Sequence, residues 1–140
     1  MKTSTGAYIF PLKKQEDDRG WLIELFRNDQ LPSPVEMGYI SETKPGVVRG
    51  PHEHREQTDH FAFIGPGTFH LHLWSESPQS QYDVYMLPPY EVWEVGETNP
   101  VLVIVPPGVV HAYKNISDRP GWVFNAPDEL YAGPGKLYEV

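Results

Sequence analysis

Apolar residues along the chain come in short bursts rather than in sustained periods. Alternating or continuous runs occupy Gly20–Phe26, Val35–Ile40, Phe61–Ile64, Phe69–Trp74, Asp83–Met86, Glu91–Val95, Val101–Val105, Tyr113–Ile116 and Trp122–Asn125. Each has the length of a strand, and none carries an apolar repeat long enough for a helix. Fifteen prolines and twelve glycines separate the runs. Both residue types supply turns and interrupt helices. The pattern predicts an all-β chain of many short strands, in a sandwich or barrel rather than a parallel sheet. Asn28–Pro34 reads as a loop, and Ala132–Val140 is expected to pack against a neighbour or fray.

Composition narrows the function classes. A chain of 140 residues with 39% hydrophobic content is the size of one domain, so residues 1–140 are expected to share a single core. No cysteine is present, which excludes disulfides and thiolate metal sites. No apolar run approaches the length of a membrane span, and a cytoplasmic protein is expected. The formal charge of −8 argues against nucleic acid or an anionic membrane as partner. Any phosphate contact must then rest on a few focused arginines.

Two histidine clusters carry the candidate chemistry. The first is Gly46-Val-Val-Arg-Gly-Pro-His52-Glu-His54 with Asp59 behind it, and the second is Pro106-Pro-Gly-Val-Val-His111-Ala-Tyr-Lys-Asn115. In an extended strand, side chains two apart share a face, so His52 and His54 are expected to point into one cavity. Asp59 and His111 join them only if the sheet closes and brings distant strands together. Neutral imidazoles and a carboxylate suit zinc, iron, nickel or manganese, with His52, His54, Asp59 and His111 as ligands. The alternative is a metal-free pocket in which the same groups form hydrogen bonds. His70 and His72 repeat the i, i+2 pattern on a predicted strand, so one of its faces turns inward.

These clusters resemble the two motifs of the cupins, small double-stranded β-helix (jelly-roll) barrels. Pro106 through Asn115 matches the second motif, and Gly46, His52, His54 and Gly67 match the first, with Asp59 where the motif carries glutamate. Within the cupins the chain is similar to the dTDP-4-dehydrorhamnose 3,5-epimerase family. That resemblance runs through Asp18-Arg-Gly-Trp-Leu-Ile-Glu24-Leu-Phe-Arg27, Gly46 to His52, Trp74-Ser-Glu-Ser-Pro78 and Pro106 to Asp118. The stretch from Arg49 to His54 with its following acid also resembles metal-binding cupin domains fused to capsular-sugar reductases.

The resemblance implies a nucleotide-sugar epimerase or isomerase of deoxysugar or surface-polysaccharide biosynthesis, acting on a dTDP-4-keto-6-deoxysugar. His52 falls at the family's base, suited to removing the acidic proton beside a ketone. Arg19 and Arg49 fall at positions that hold the nucleotide diphosphate, with Glu24 alongside, and His72 falls where the family carries a pocket aspartate. Asn115 is expected to fix a turn. Other positions depart from the pattern. Phe124 stands at the catalytic tyrosine, Met37 and Tyr39 replace the glutamine and asparagine that hold the base, and the pocket lysine is replaced near His60. Without that tyrosine, inversion or isomerisation is expected at one carbon, C3, with water, Tyr131, Tyr113 or His52 itself returning the proton, or else no turnover. Two other classes stay open: a metal cupin such as a dioxygenase or phosphosugar isomerase, and a noncatalytic sugar-nucleotide-binding cupin. Uncovered sheet edges in so small a barrel predict a homodimer formed through an N-terminal strand.

Overall fold

The computed structural model describes residues 1–75 and 89–130, and every element among them is a strand. The strands are β1 (Tyr8–Pro11), β2 (Gln15–Asp17), β3 (Gly20–Leu22), β4 (Tyr39–Thr43), β5 (Val48–His52) and β6 (Asp59–Phe63). Then follow β7 (Thr68–Trp74), β8 (Tyr90–Gly96), β9 (Val101–Val105), β10 (Val110–Asn115) and β11 (Gly121–Asn125). One antiparallel sheet has the order β1-β9-β6-β11-β4, a second has β5-β10-β7-β8, and β2 pairs only with β3. Among the described residues no helix is long and apolar enough to cross a membrane.

Residue patterns explain the layers. Along β7, Phe69, Leu71 and Leu73 are fully buried while His70, His72 and Trp74 are half-buried. This is the period of a strand with one face on the core. The run Val101-Leu-Val-Ile-Val105 does not alternate, and β9 is buried along its whole length. It lies between β1 and β6. Its outward residues Leu102 and Ile104 share a cavity of about 460 Å³ with Leu25 and Leu31 of the segment after β3. Between the two larger sheets, the Tyr113 ring meets Phe61, Phe63 and Phe69 edge-on at centroid distances of 5.9, 5.5 and 5.5 Å. Edge-to-face contacts of this kind add to the burial of the rings themselves.

Two glycines are required by close backbone approach. Gly50 has φ +104, and a Cβ there would stand 2.8 Å from the His111 carbonyl oxygen. Gly67, the last glycine of the first histidine motif, has φ +90, and its Cβ would meet the Gly121 Cα at 2.7 Å. Asn115 fixes a turn, as expected. Fully buried, it donates to the carbonyls of Thr43 and Arg119, both at 2.8 Å, and accepts from the Ser117 N–H at 2.9 Å.

Several strand boundaries differ from the sequence reading. The run Gly20–Phe26 pairs only through Leu22, because its partner β2 is three residues long. The apolar stretch Val35–Ile40 becomes strand only from Tyr39, where pairing with Asn125 begins. Strands β1 and β5 carry proline or charge, so their apolar pattern is weak; cross-strand pairing defines them. The expected strand Asp83–Met86 and the tail Ala132–Val140 lie outside the described residues.

Candidate functional site

The two histidine motifs meet because β5 and β10 are neighbours. Their register sets His52 opposite His111, with an irregularity between His111 and Tyr113. Asp59 arrives from the facing sheet as the first residue of β6. Its Oδ2 lies 3.2 Å from His54 Nε2 and 3.3 Å from His111 Nε2. The sandwich thus joins groups far apart in sequence, as barrel closure requires. Above them opens a pocket of about 320 Å³, with Arg49, His52, His54, His111, Tyr39 and Tyr113 in its wall.

Asp59 has no exposed surface. Its Oδ1 accepts from Gln57 Nε2 at 2.7 Å and from Asn125 Nδ2 at 3.1 Å. Burial pushes the carboxyl pKa up, but the adjoining His111 and His54 outweigh it and hold the group well below the usual carboxylate range. The same carboxylate raises His54, against the lowering effect of burial. His52 shifts the other way: burial lowers its pKa, and His111 and His54 lower it further. His111 Nδ1–H donates to the Val109 carbonyl at 3.2 Å, which turns Nε2 toward Asp59. In the neutral ring that tautomer presents a lone pair at Nε2.

Three donor atoms, one each from His54, Asp59 and His111, lie within 4.8 Å of one another. His54 Nε2 and Asp59 Oδ2 are buried and close, yet neither has a hydrogen-bond partner among the described residues. Buried polar atoms are normally satisfied. Two imidazoles and a carboxylate left in this way fit a divalent transition metal, with the Val109 carbonyl orienting one ligand from behind. His52, expected as a fourth ligand, stands outside this trio, its ring centroid 6.2 Å from that of His111. The reason is local. Strand β5 ends at His52, so the rule that residues two apart share a face does not extend to His54.

Arg49 also reaches the pocket wall. Its Nε donates to Thr43 Oγ1 at 2.8 Å and its Nη2 to the Glu42 carbonyl at 2.7 Å. These bonds hold the guanidinium plane in place and leave Nη1 beyond them. Other expected site residues lie elsewhere within the chain. Arg19 sits on the exposed β2–β3 hairpin, its Nη2 paired with Asp17 at 2.5 Å. Glu24 pairs with Arg27 at 3.3 Å and lines the separate cavity against β9. His72 is turned to the outer face of β7 by the same alternation that buries Leu71 and Leu73. There it lies 2.7 Å from the Tyr90 hydroxyl and stacks near Trp74, with centroids 6.0 Å apart. The expectation that His72 lines the pocket is therefore corrected. Trp93 packs against the core and donates to Glu91 Oε1 at 2.6 Å.

No family model matches the chain. A probable low-salt glycan biosynthesis epimerase of Haloferax volcanii is 35% identical to it over 127 residues, 86% of this chain and 76% of that protein. A spore coat polysaccharide biosynthesis protein of Bacillus subtilis is 31% identical over 117 residues, covering 82% and 74%. The crystal structure of a dTDP sugar isomerase from Desulfovibrio desulfuricans superposes with TM-score 0.75 at 25% identity, over 88% of this chain and 76% of that one. The dTDP-4-dehydrorhamnose 3,5-epimerase of Bacillus anthracis gives TM-score 0.77 at 17% identity, over 96% and 78%. The chain belongs to the family of these glycan and polysaccharide biosynthesis proteins, and it has the fold of the dTDP-4-dehydrorhamnose 3,5-epimerases.

Its fold is that family's cupin barrel, and its relatives are sugar epimerases and isomerases of glycan and polysaccharide biosynthesis. The family frame makes the position of Phe124 informative. Phe124 pairs with Ile40 and Ala62 on β11. The side chain that reaches inward is its neighbour Asn125, which bonds Asp59 and the Tyr39 hydroxyl. Alternation therefore turns the Phe124 ring away from the pocket. Among the described residues, two phenols face the pocket, Tyr39 and Tyr113. Tyr39 stands where the family holds the base, and pairing of β4 with β11 carries it to the site.

Proposed function

We propose that the protein is a nucleotide-sugar epimerase or isomerase acting on a dTDP-4-keto-6-deoxysugar. His52 removes the proton beside the ketone, and Arg49 grips the diphosphate. The observation that carries this reading is the shared pocket of Arg49 and His52, on one strand of a fold whose relatives are sugar epimerases. A guanidinium held at two of its nitrogens presents the rest of its fork to a phosphate at little further cost in entropy. Replacing Arg49 by alanine should weaken dTDP binding by about 1.5–3 kcal/mol, the scale of a charged hydrogen bond. Equal calorimetric affinity in wild type and variant would remove Arg49 from the diphosphate site.

Arg19 and Glu24 enter the same reading through a second copy of the chain. The β2–β3 hairpin is exposed throughout, with Trp21 53% and Leu22 60% accessible. An isolated two-stranded hairpin is at best marginally stable in water, and so open an apolar surface suits an interface. We place the hairpin against the partner of a homodimer, where Arg19 adds a second cation beside the pocket. Light scattering should give twice the chain mass of 16.0 kDa. A monomer mass in the presence of dTDP removes this assignment.

A metal-assisted version of the reaction is favoured by one observation, the unpartnered His54 Nε2 and Asp59 Oδ2 facing each other beside His111. Those three residues would hold zinc, iron, nickel or manganese. When bound, such an ion supplies Lewis acidity toward a carbonyl oxygen. His52 then stays outside the ligand set and keeps its role as base.

A further inference from the structure

We propose that Tyr39 is the proton donor opposite His52, held in that role by Asn125. This inference rests on the epimerase reading above. It concerns a residue whose type departs from the family pattern, at a position where the sequence suggested only altered base binding.

Placement comes first. Tyr39 is the first residue of β4 and His52 the last of β5, and the turn between the strands is short. Both side chains therefore sit at the end of the sandwich away from that turn, and both line the same pocket. β4 belongs to the five-stranded sheet and β5 to the four-stranded one. The phenol and the imidazole thus face a bound sugar from opposite layers. Inversion at a carbon needs this arrangement, because the proton leaves one face and another arrives on the opposite face.

Orientation comes second. Asn125 is 1% exposed. Its Oδ1 accepts from the His60 backbone N–H at 3.2 Å, which fixes the amide so that Nδ2 points to Tyr39 and Asp59. Nδ2 donates to the Tyr39 oxygen at 2.9 Å. The phenol is therefore the acceptor in that bond, and its own proton is not committed to Asn125. The other pocket phenol is less suited. Tyr113 is 7% exposed, wedged among the core phenylalanines, and its hydroxyl lies 3.3 Å from Ser41 Oγ.

The step balances without a further reactant. His52 takes the proton from C3, and the C–H electron pair becomes the C3–C4 double bond while the C4 carbonyl becomes an enolate oxygen. On return, the enolate collapses to the ketone and C3 takes the proton of the Tyr39 hydroxyl on the opposite face. The resulting phenolate regains a proton from solvent, and His52 releases its own to solvent. Asn125 acts as a positioning residue, since it touches the phenol and not the sugar.

The test uses the full-length protein and dTDP-4-keto-6-deoxyglucose in deuterated buffer, with label and configuration at C3 read by NMR. In wild type, label should enter together with inversion. In Tyr39→Phe, removal and return of the proton on the His52 face should persist, so label still enters C3 with retained configuration. Inversion should fall on the order of 10²-fold or more, the scale of a general-acid contribution. Wild-type inversion in Tyr39→Phe would overturn the assignment, and so would parallel loss of labelling and inversion in a variant that still binds dTDP. Absence of both labelling and inversion in wild type would instead sink the epimerase reading, and the donor role with it.

Discussion

His52→Ala should lower deuterium entry at C3 and inversion together, on the order of 10²- to 10⁴-fold, the usual contribution of a positioned general base. The joint loss separates the base from a donor, whose removal spares exchange on the base's own face. His52 lines the pocket and, although partly desolvated there, is among the exposed residues. The substitution should therefore leave unfolding free energy within about 0.5 kcal/mol of wild type, as for surface positions generally. Binding of dTDP should also persist, since Arg49 is tethered by Thr43 and Glu42 and does not depend on the imidazole. Retained exchange in a folded His52→Ala protein would move the base to another side chain and reopen the metal-cupin class.

Much of the frame was legible because two periods are hard to mistake. The alternation of Phe69, Leu71 and Leu73 with His70, His72 and Trp74 marks a strand with one buried face, and Val101–Val105 marks one buried on both. The same parity could have placed His72 outside: if the apolar set faces the core, the histidines between them face away. The motif glycines also had readable reasons, since Gly50 and Gly67 allow backbone approaches that a Cβ would block.

What could not be read locally was set by partners distant in sequence. His54 was grouped with His52 by strand parity, but the strand ends between them, and Asp59 and His111 recruit His54 instead. Tyr39 lies within the apolar run Val35–Ile40 and, in the family frame, replaces a residue that holds the base. It becomes a pocket residue through pairing opposite Asn125, a contact separated by most of the chain. Arg19 illustrates another limit. Its place on an exposed hairpin is fixed by short-range bonding to Asp17, apart from the residues that line the pocket of Arg49 and His52.

Asp59→Ala should destabilise the protein by about 3–5 kcal/mol, the cost of breaking a buried charged cluster by removing one partner. The carboxylate is fully buried and gathers Gln57, Asn125, His54 and His111. Without it, the two amide donors lose their acceptor and the two imidazoles face a cavity. Asp59→Asn keeps the volume and one acceptor oxygen, so its cost should be smaller, about 1–3 kcal/mol. The same pair of variants decides on the metal. If His54, Asp59 and His111 hold an ion, elemental analysis of wild type purified without chelator should approach one transition metal per chain, and both variants should lose it. Chelation should then lower the urea midpoint of wild type, because an ion bound only to the native state adds to its stability by mass action. It should leave the midpoints of the variants unchanged. A wild-type protein with less than about a tenth of an equivalent of metal, and no response to chelator, would assign the trio to charge pairing around a buried carboxylate. The proton transfers of His52 and Tyr39 would then proceed without an ion beside them.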